Sequence, residues 1–146
     1  MSSPLRDAYN AHANLAVIGL KANYGLEDAP DRAPVNRELP CIIPGYVEQN
    51  TAFSLLSVSA GQIDLTLTPT FTLFYKNVNS DVRVDVIAET LVDLMWYYAL
   101  AIADNPDLDD TLAQDISYTA QFGVYEYFNE QYVGIQFTHN WEFKEG

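Results

Sequence analysis

The strongest strand signal in this chain is an alternation of apolar and polar residues between residues 62 and 75. Period-two alternation over this length predicts a β-strand with one buried face. Fourteen residues is longer than most strands, so we expect part of it to extend beyond the body of the domain as an arm. The apolar residues on its predicted buried face are Ile63, Leu65, Leu67, Phe71, Leu73 and Tyr75.

A proline interrupts this strand. Pro69 has no N–H group to donate to a neighbouring strand, so it predicts either an edge strand or a β-bulge at this point. The preceding residues 52–59 have a β-like composition, and Ala60 and Gly61 form a plausible turn between the two runs. We therefore predict a hairpin with one incompletely paired strand, and an open strand edge invites pairing with another chain.

Two helices and a second hairpin complete the regular elements. The first helix is predicted over about residues 4–22, with Ser3 as its N-cap and Pro4 in its first turn. The second is predicted over about residues 82–104, ending before Pro106. Its predicted core stripe comprises Val84, Ile87, Ala88, Leu91, Leu94, Met95, Tyr98 and Ile102.

The chain ends in two further alternating runs, residues 116–124 and 133–143, with a polar tip at Asn129 and Glu130. The resulting order is α–ββ–α–ββ. It predicts a single α+β domain over residues 1–146, in which a mainly antiparallel sheet carries the helices on one face.

A proline-rich segment, residues 24–50, separates the first helix from the sheet and contains four of the seven prolines. A stretch of this length without periodicity is typical of a binding loop, an arm or a disordered segment. A short strand is predicted at about residues 39–43. We interpret the segment, with the hairpin around Pro69, as an assembly arm whose apolar side chains are buried against a partner. The candidate arm residues are Leu39, Ile42, Ile43, Tyr46 and Pro69.

The net charge of the chain limits the partners that it is expected to bind. Twenty acidic residues against seven basic ones give a net charge of −13, and residues 81–146 hold thirteen acidic and two basic residues, a net of −11. Binding to a phosphate backbone needs a basic surface. We therefore expect no sequence-specific nucleic-acid binding. Two interpretations stay open: an acidic surface that aids solubility, or one that meets a basic partner or repels DNA.

The second helix carries part of this charge in a line. Asp85, Glu89 and Asp93 are four residues apart, and like charges at that spacing disfavour an isolated helix. Trp96 projects within roughly 20° of Asp85 around the helix axis. An exposed tryptophan beside acidic residues is typical of an interface, which predicts a subunit contact or a lumen-facing surface. The alternatives are a solvated face, or a face covered by residues 24–50.

Signals for catalysis and ligands are missing from the sequence. It has no nucleophile motif and no phosphate-binding loop, and its two histidines are 127 residues apart. His12 and His139 both lie on apolar faces and are predicted to be buried core residues. The lone Cys41 excludes an internal disulfide. We therefore expect no enzymatic activity, no cofactor, no metal and no membrane span, in a soluble protein made inside a cell.

The arrangement of residues 60–146 resembles a known family. A long alternating strand leads into an amphipathic helix (QIDLTLTPTFTLFYKNVNSDVRVDVIAETLVDLM), an acidic connection follows, and a closing hairpin ends in YVGIQFTHNWEF. This pattern is similar to the tail terminator and neck proteins of tailed bacteriophages.

The resemblance implies a virion protein that forms a homo-oligomeric ring, usually six-fold. Such a ring ends the tail tube and contacts the tail tube protein and the neck or head-closure protein. DNA passes through its lumen, and the acidic C-terminal half fits a lumen that repels DNA. The family has no catalytic residues to carry over. Alternatives are a head-closure or tail completion protein, a small acidic oligomeric binding or accessory protein of a bacterium, and an enzyme of unrecognised type.

Overall fold

The computed structural model describes residues 3–45, 52–59, 61–79 and 84–145, without the side chains of residues 52–59, 84 and 85. It contains two α-helices, a short 3-10 turn at Asn36–Glu38 and the strands of one sheet. In chain order the helices and strands are α1 Pro4–Ala13, β1 Ala22–Asn23, β2 Cys41–Pro44, β3 Ala52–Ser59, β4 Gln62–Thr68, β5 Thr70–Asn77, α2 Val84–Asp104, β6 Ser117–Tyr127 and β7 Glu130–Glu145.

The sheet is almost entirely antiparallel and is organised around β7. This sixteen-residue strand pairs with β6 along one side and with β4 and β5 along the other. Strands β2 and β3 continue the sheet beyond β5 and β4, respectively, and among the described strands only the short β1–β2 pairing is parallel. The predicted α+β class is confirmed. The structure adds β1, which precedes the proline-rich segment, and β2, which lies within it, to the α–ββ–α–ββ order.

Strands β4 and β5 form the long strand that the alternation predicted. Their register with β7 is the same on both sides of Pro69, and the Pro69 carbonyl accepts a hydrogen bond from the His139 N–H at 2.9 Å. The prediction of an edge strand or bulge at Pro69 is wrong. Strands β4 and β5 lie inside the sheet, and the register shifts occur elsewhere, at Leu56 and Tyr75. The missing N–H costs the ladder a hydrogen bond without ending it.

Helix α1 is shorter than predicted. It begins as expected, with the Ser3 hydroxyl accepting a hydrogen bond from the Arg6 N–H at 3.2 Å, but it ends at Ala13 rather than near residue 22. Gly19 has a φ of 93°, in the left-handed region that a helix cannot include. The chain must also become extended by Ala22 so that β1 can pair with β2.

Both helices pack on the same face of the sheet. The His12 ring of α1 stacks on Phe71, the Tyr98 ring of α2 stacks on Phe137, and Phe71 and Phe137 are paired neighbours on β5 and β7. The prediction of helices on one face is confirmed. This face holds the main core, in which Trp141, Leu67 and Ile135 are fully buried.

The proline-rich segment covers the other face of the sheet. The Tyr127 hydroxyl donates to the Pro30 carbonyl, and the Tyr132 hydroxyl donates to the Pro34 carbonyl at 2.7 Å. These contacts enclose a second, smaller core made of Leu39, Cys41, Ile43, Phe74, Tyr127 and Tyr132.

This burial corrects the assembly-arm prediction. Leu39, Ile42 and Ile43 are at most 5% exposed within a single chain, so they have no apolar surface left for a partner. The predicted short strand exists as β2, and its pairing with β5 explains the burial. Tyr46 lies outside the described residues, and Pro69 belongs to the interior of the sheet.

Candidate interface on helix α2 and strand β6

Helix α2 buries one side against the sheet. Ile87, Leu91, Leu94, Tyr98 and Ile102 are all at most 8% exposed, which confirms most of the predicted core stripe. Ala88 is the exception among the stripe residues, because it lies at the margin of this side and is exposed. The structure does not describe the side chain of Val84.

The opposite side of α2 is exposed and largely apolar. Trp96 is 63% exposed, Val92 57% and Leu100 41%, and the carboxylates of Glu89 and Asp93 are exposed beside them. We call these five residues the outer stripe. Trp96, Glu89 and Asp93 lie on the same side of the helix, as their spacing predicts, and that side is exposed in the single chain; the structure does not describe the Asp85 side chain.

The described part of the proline-rich segment does not cover the outer stripe, because it packs on the other face of the sheet. A single-chain cover for Trp96 is therefore missing among the residues described. Exposed tryptophan flanked by aliphatic and charged side chains is a composition typical of protein interfaces.

The apolar character of α2 extends around most of its circumference. Residues Val86–Asp104 have a mean hydropathy of 1.5, and by length and composition alone they are apolar enough to cross a membrane. The sequence-based expectation of no membrane span overlooked this stretch. Only 33% of the stretch is buried, and a core helix of a soluble protein also passes this test. A helix that is apolar on both sides needs a second surface to cover the side that its own domain leaves exposed.

A groove lies between α2 and the outermost strand of the helix-covered face. It has a volume of about 360 Å³ and is lined almost entirely by apolar atoms. Beyond the groove, Phe122 and Val124 of β6 are 46% and 57% exposed and continue the apolar surface along the strand. The lining residues are Ile87, Ala88, Leu91, Val92, Phe122 and Val133.

Strand β6 forms an open edge beside this groove. Over the described ranges it pairs with β7 alone, and its eleven residues include no lysine and no proline. Natural proteins commonly protect long edge strands with these residues, because unpaired N–H and C=O groups attract other strands. The edge of β6 lacks that protection.

The charge on these two elements has one sign. Helix α2 and strand β6 contain Asp85, Glu89, Asp93, Asp104 and Glu126 and no lysine, arginine or histidine. Among the described basic side chains, Lys76 lies on β5, two strands from β6, and Lys144 lies on β7 beyond the end of its pairing with β6. The groove therefore lies between two elements that carry acidic side chains and no basic ones.

The two histidines meet in the core below this surface, in a chain of hydrogen bonds. The Tyr98 hydroxyl lies 2.7 Å from His12 Nε2 and 2.6 Å from His139 Nε2, and the Trp141 indole N–H lies 3.1 Å from His139 Nδ1. All four side chains are buried. This hydrogen-bond chain joins α1, α2 and β7, and the sequence analysis did not predict that its residues would contact one another.

The direction of these hydrogen bonds follows from the tryptophan, which can only donate. Neutral His139 therefore accepts at Nδ1 and donates from Nε2 to the Tyr98 oxygen, so the Tyr98 hydroxyl donates its hydrogen to His12 Nε2. His12 then carries its proton on Nδ1, and that atom has no partner among the described residues.

Burial keeps the titratable side chains of this hydrogen-bond chain uncharged. It lowers the pKa of His139 to about 3, and burial together with the neighbouring His139 lowers the pKa of His12 well below its usual value. Burial also raises the pKa of Tyr98. The sequence prediction that both histidines are buried core residues is confirmed, and their role is to connect elements of the core.

Among the described residues, the other side chains that could react or bind a metal ion are buried or far apart. Burial raises the pKa of the Cys41 thiol to about 12, so this thiol stays protonated and unreactive. Among the residues that the structure describes, no three His, Cys, Asp or Glu side chains are grouped to hold a metal ion. Neither a known protein-family model nor a curated protein sequence matches this chain.

Proposed function

We propose that this protein is a structural subunit of a tailed-phage virion. In this proposal identical copies form a ring, six-fold in the family that the chain resembles, which ends the tail tube and joins it to the neck. The outer stripe of α2 carries the proposal, because three exposed apolar residues on a fully formed domain call for a protein surface to cover them.

The energetics of the outer stripe support self-association. Burying a large apolar side chain contributes on the order of 1–3 kcal/mol, so covering Val92, Trp96 and Leu100 on each copy supplies a substantial part of a stable contact. Glu89 and Asp93 at its margin would face acidic groups in a two-fold contact. A head-to-tail contact, in which the stripe meets a different surface, avoids this repulsion and is the kind that closes rings.

The charge distribution supports a channel for DNA rather than a DNA-binding surface. A net charge of −11 over residues 81–146 repels phosphates, which lets DNA pass a lumen without being held. A head-closure or tail completion role would use the same properties at a neighbouring position in the particle.

The groove beside β6 favours a second candidate, a small acidic binding or accessory protein of a bacterium. An apolar groove beside an open strand edge suits recognition of a peptide segment, a function that requires no ring. The two candidates differ in whether the protein closes into a ring of fixed size.

Native mass spectrometry and negative-stain electron microscopy of the purified protein distinguish these candidates. The proposal expects a closed ring of a single stoichiometry built from 16.4 kDa subunits. Replacing Trp96 with alanine should shift it toward single subunits, whereas the same replacement at Ile18, which is also 63% exposed but lies outside α2, should not. A protein that stays monomeric over its soluble concentration range contradicts the ring.

The position in the particle needs a separate measurement. Gold-labelled antibodies against the protein should bind at the head–tail junction of particles from a phage that carries this gene. Labelling elsewhere on the particle, or none, contradicts the neck position even if a ring forms.

A further inference from the structure

We propose that the open edge of β6 and the adjacent groove form a docking site for an extended, positively charged segment of another protein, which adds to the sheet as a β-strand. This site shares Val92 with the outer stripe but otherwise lies on the side of α2 that faces β6, and the inference does not depend on ring formation. Backbone geometry, side-chain placement and charge each point to it.

The backbone groups of β6 alternate between β7 and the open edge. The His139 N–H and the Gln131 carbonyl both bond toward the β5 side of β7, so odd-numbered β7 residues face that side and even-numbered ones face β6. Val124 pairs with the odd-numbered Val133. The N–H and C=O of Val124 therefore point away from β7 and are oriented toward an added strand.

The side chains beside this edge provide a place for apolar residues. Phe122 and Val124 lie on the helix-covered face of the sheet, and Phe122 lines the groove under α2. In an added strand every second side chain would project toward α2 and contact this groove and the two exposed residues. The segment that fits thus has apolar residues at alternate positions.

Charge selects a basic segment over a second copy of this surface. Glu126 is exposed two residues beyond Val124, on the same face, and neither β6 nor α2 contains a basic residue. Pairing β6 with β6 of another copy would bring acidic groups together without a basic partner on either element. A segment with lysine or arginine at its ends relieves that repulsion.

A labelled ten-residue peptide, KKVTVTVTKK, tests the site. Its valines share one face of an extended strand, and its lysines flank them. We expect saturable binding to the whole protein by fluorescence anisotropy, weakened by added salt. Methylating the backbone nitrogens that face β6 should weaken binding by about tenfold or more, because the methyl groups block the ladder hydrogen bonds. The acidic peptide EEVTVTVTEE should not bind.

Two substitutions locate the binding at β6. Val124→Pro removes an N–H that points away from β7, so it leaves the β6–β7 ladder intact and should weaken binding. Val124→Lys keeps the backbone and places a positive charge at the edge, so it should also weaken binding while the fold is retained. The matched control is Val35→Lys, which adds the same charge at an exposed valine on the proline-rich segment.

Three results would overturn the inference. One is equally strong binding of the peptide after N-methylation, which would show attraction by charge alone. Another is peptide binding that neither change at Val124 affects, which would place the bound peptide elsewhere. The third result is dimerisation of the protein itself through β6, measured by sedimentation equilibrium and abolished by Val124→Lys, which would identify a second copy as the occupant. Complete failure of the peptide to bind also overturns this inference, and it leaves the ring proposal untouched because ring size is measured without the peptide.

Discussion

The Tyr98 hydroxyl lies 2.6 Å from the Nε2 atom of His139, and this contact ties the middle of α2 to the strand at the centre of the sheet. The same hydroxyl reaches His12 of α1, so one oxygen atom joins both helices to β7. The arrangement explains why a core rich in aromatic rings contains two buried histidines.

Removing that oxygen should destabilise the fold. Tyr98→Phe keeps the ring stacked on Phe137 but leaves the His139 and His12 nitrogens buried without their shared partner. Each unsatisfied buried polar group costs about 1–3 kcal/mol, so we expect the free energy of unfolding to fall by roughly 2–4 kcal/mol in urea titrations. The matched control is Tyr97→Phe on the same helix, since Tyr97 is half-buried and takes no part in this hydrogen-bond chain. Equal losses for the two variants would contradict the role of Tyr98.

Acid should weaken the fold through the same histidines. Their pKa values are lowered in the folded state, that of His139 to about 3, so below about pH 6.5 the unfolded chain binds protons that the folded chain does not. Stability is therefore full above pH 6.5 and falls as the pH decreases toward 3, by up to about 1.4 kcal/mol per pH unit for each histidine.

The window between pH 6.5 and 5 isolates this effect, because ordinary carboxylates remain ionised there. Urea titrations across it should give a positive slope of stability against pH. In His12→Phe, which removes one of the two titrating groups, the slope should be about half as large. A slope that is unchanged in this variant would assign the pH dependence to other groups.

The elements that depend on local patterns could be predicted from the sequence. The alternation at residues 62–75 and in the last hairpin identified β4, β5, β6 and β7, because a two-residue period is a property of a strand and its one buried face. The exposure of Trp96 was predictable in the same way, from its angle around the helix axis relative to the core stripe.

Features that depend on distant contacts could not be predicted. The hydroxyls of Tyr127 and Tyr132 donate hydrogen bonds to carbonyl groups about a hundred residues earlier in the chain. No local pattern in residues 24–40 shows that this segment will cover a face of the sheet. The end of α1 depends on Gly19 and on a strand pairing with β2. Tyr98 was recognised as a core residue, but its partners come from α1 and β7.

A glycine on β7 should prove irreplaceable. A Cβ added to Gly134 would lie 1.9 Å from the Leu73 carbonyl oxygen, which is backbone and cannot move aside without disrupting the β5–β7 ladder. We expect Gly134→Ala to reduce the free energy of unfolding by about 3 kcal/mol or more, measured by thermal and urea unfolding.

Its neighbour provides the control. Gly123 pairs with Gly134 across β6 and β7, but its added Cβ would meet mainly the Tyr125 side chain, at 3.2 Å. A side chain can shift where a backbone carbonyl cannot, so Gly123→Ala should change stability by less than about 1 kcal/mol. Similar effects at both positions would show that strand propensity, rather than the close approach of Leu73, explains the need for glycine.

The two tryptophans allow assembly to be followed directly. Trp96 is 63% exposed whereas Trp141 is fully buried, so in separated subunits acrylamide should quench Trp96 fluorescence and leave Trp141 largely protected. Trp96→Phe and Trp141→Phe each leave one reporter. If the outer stripe forms the subunit contact, quenching of Trp96 should decrease as the protein concentration rises and the ring forms, and Trp141 should remain protected throughout. Trp96 that remains equally quenchable in isolated subunits and in the assembled ring would exclude the outer stripe from the contact and leave Val92 and Leu100 exposed with it.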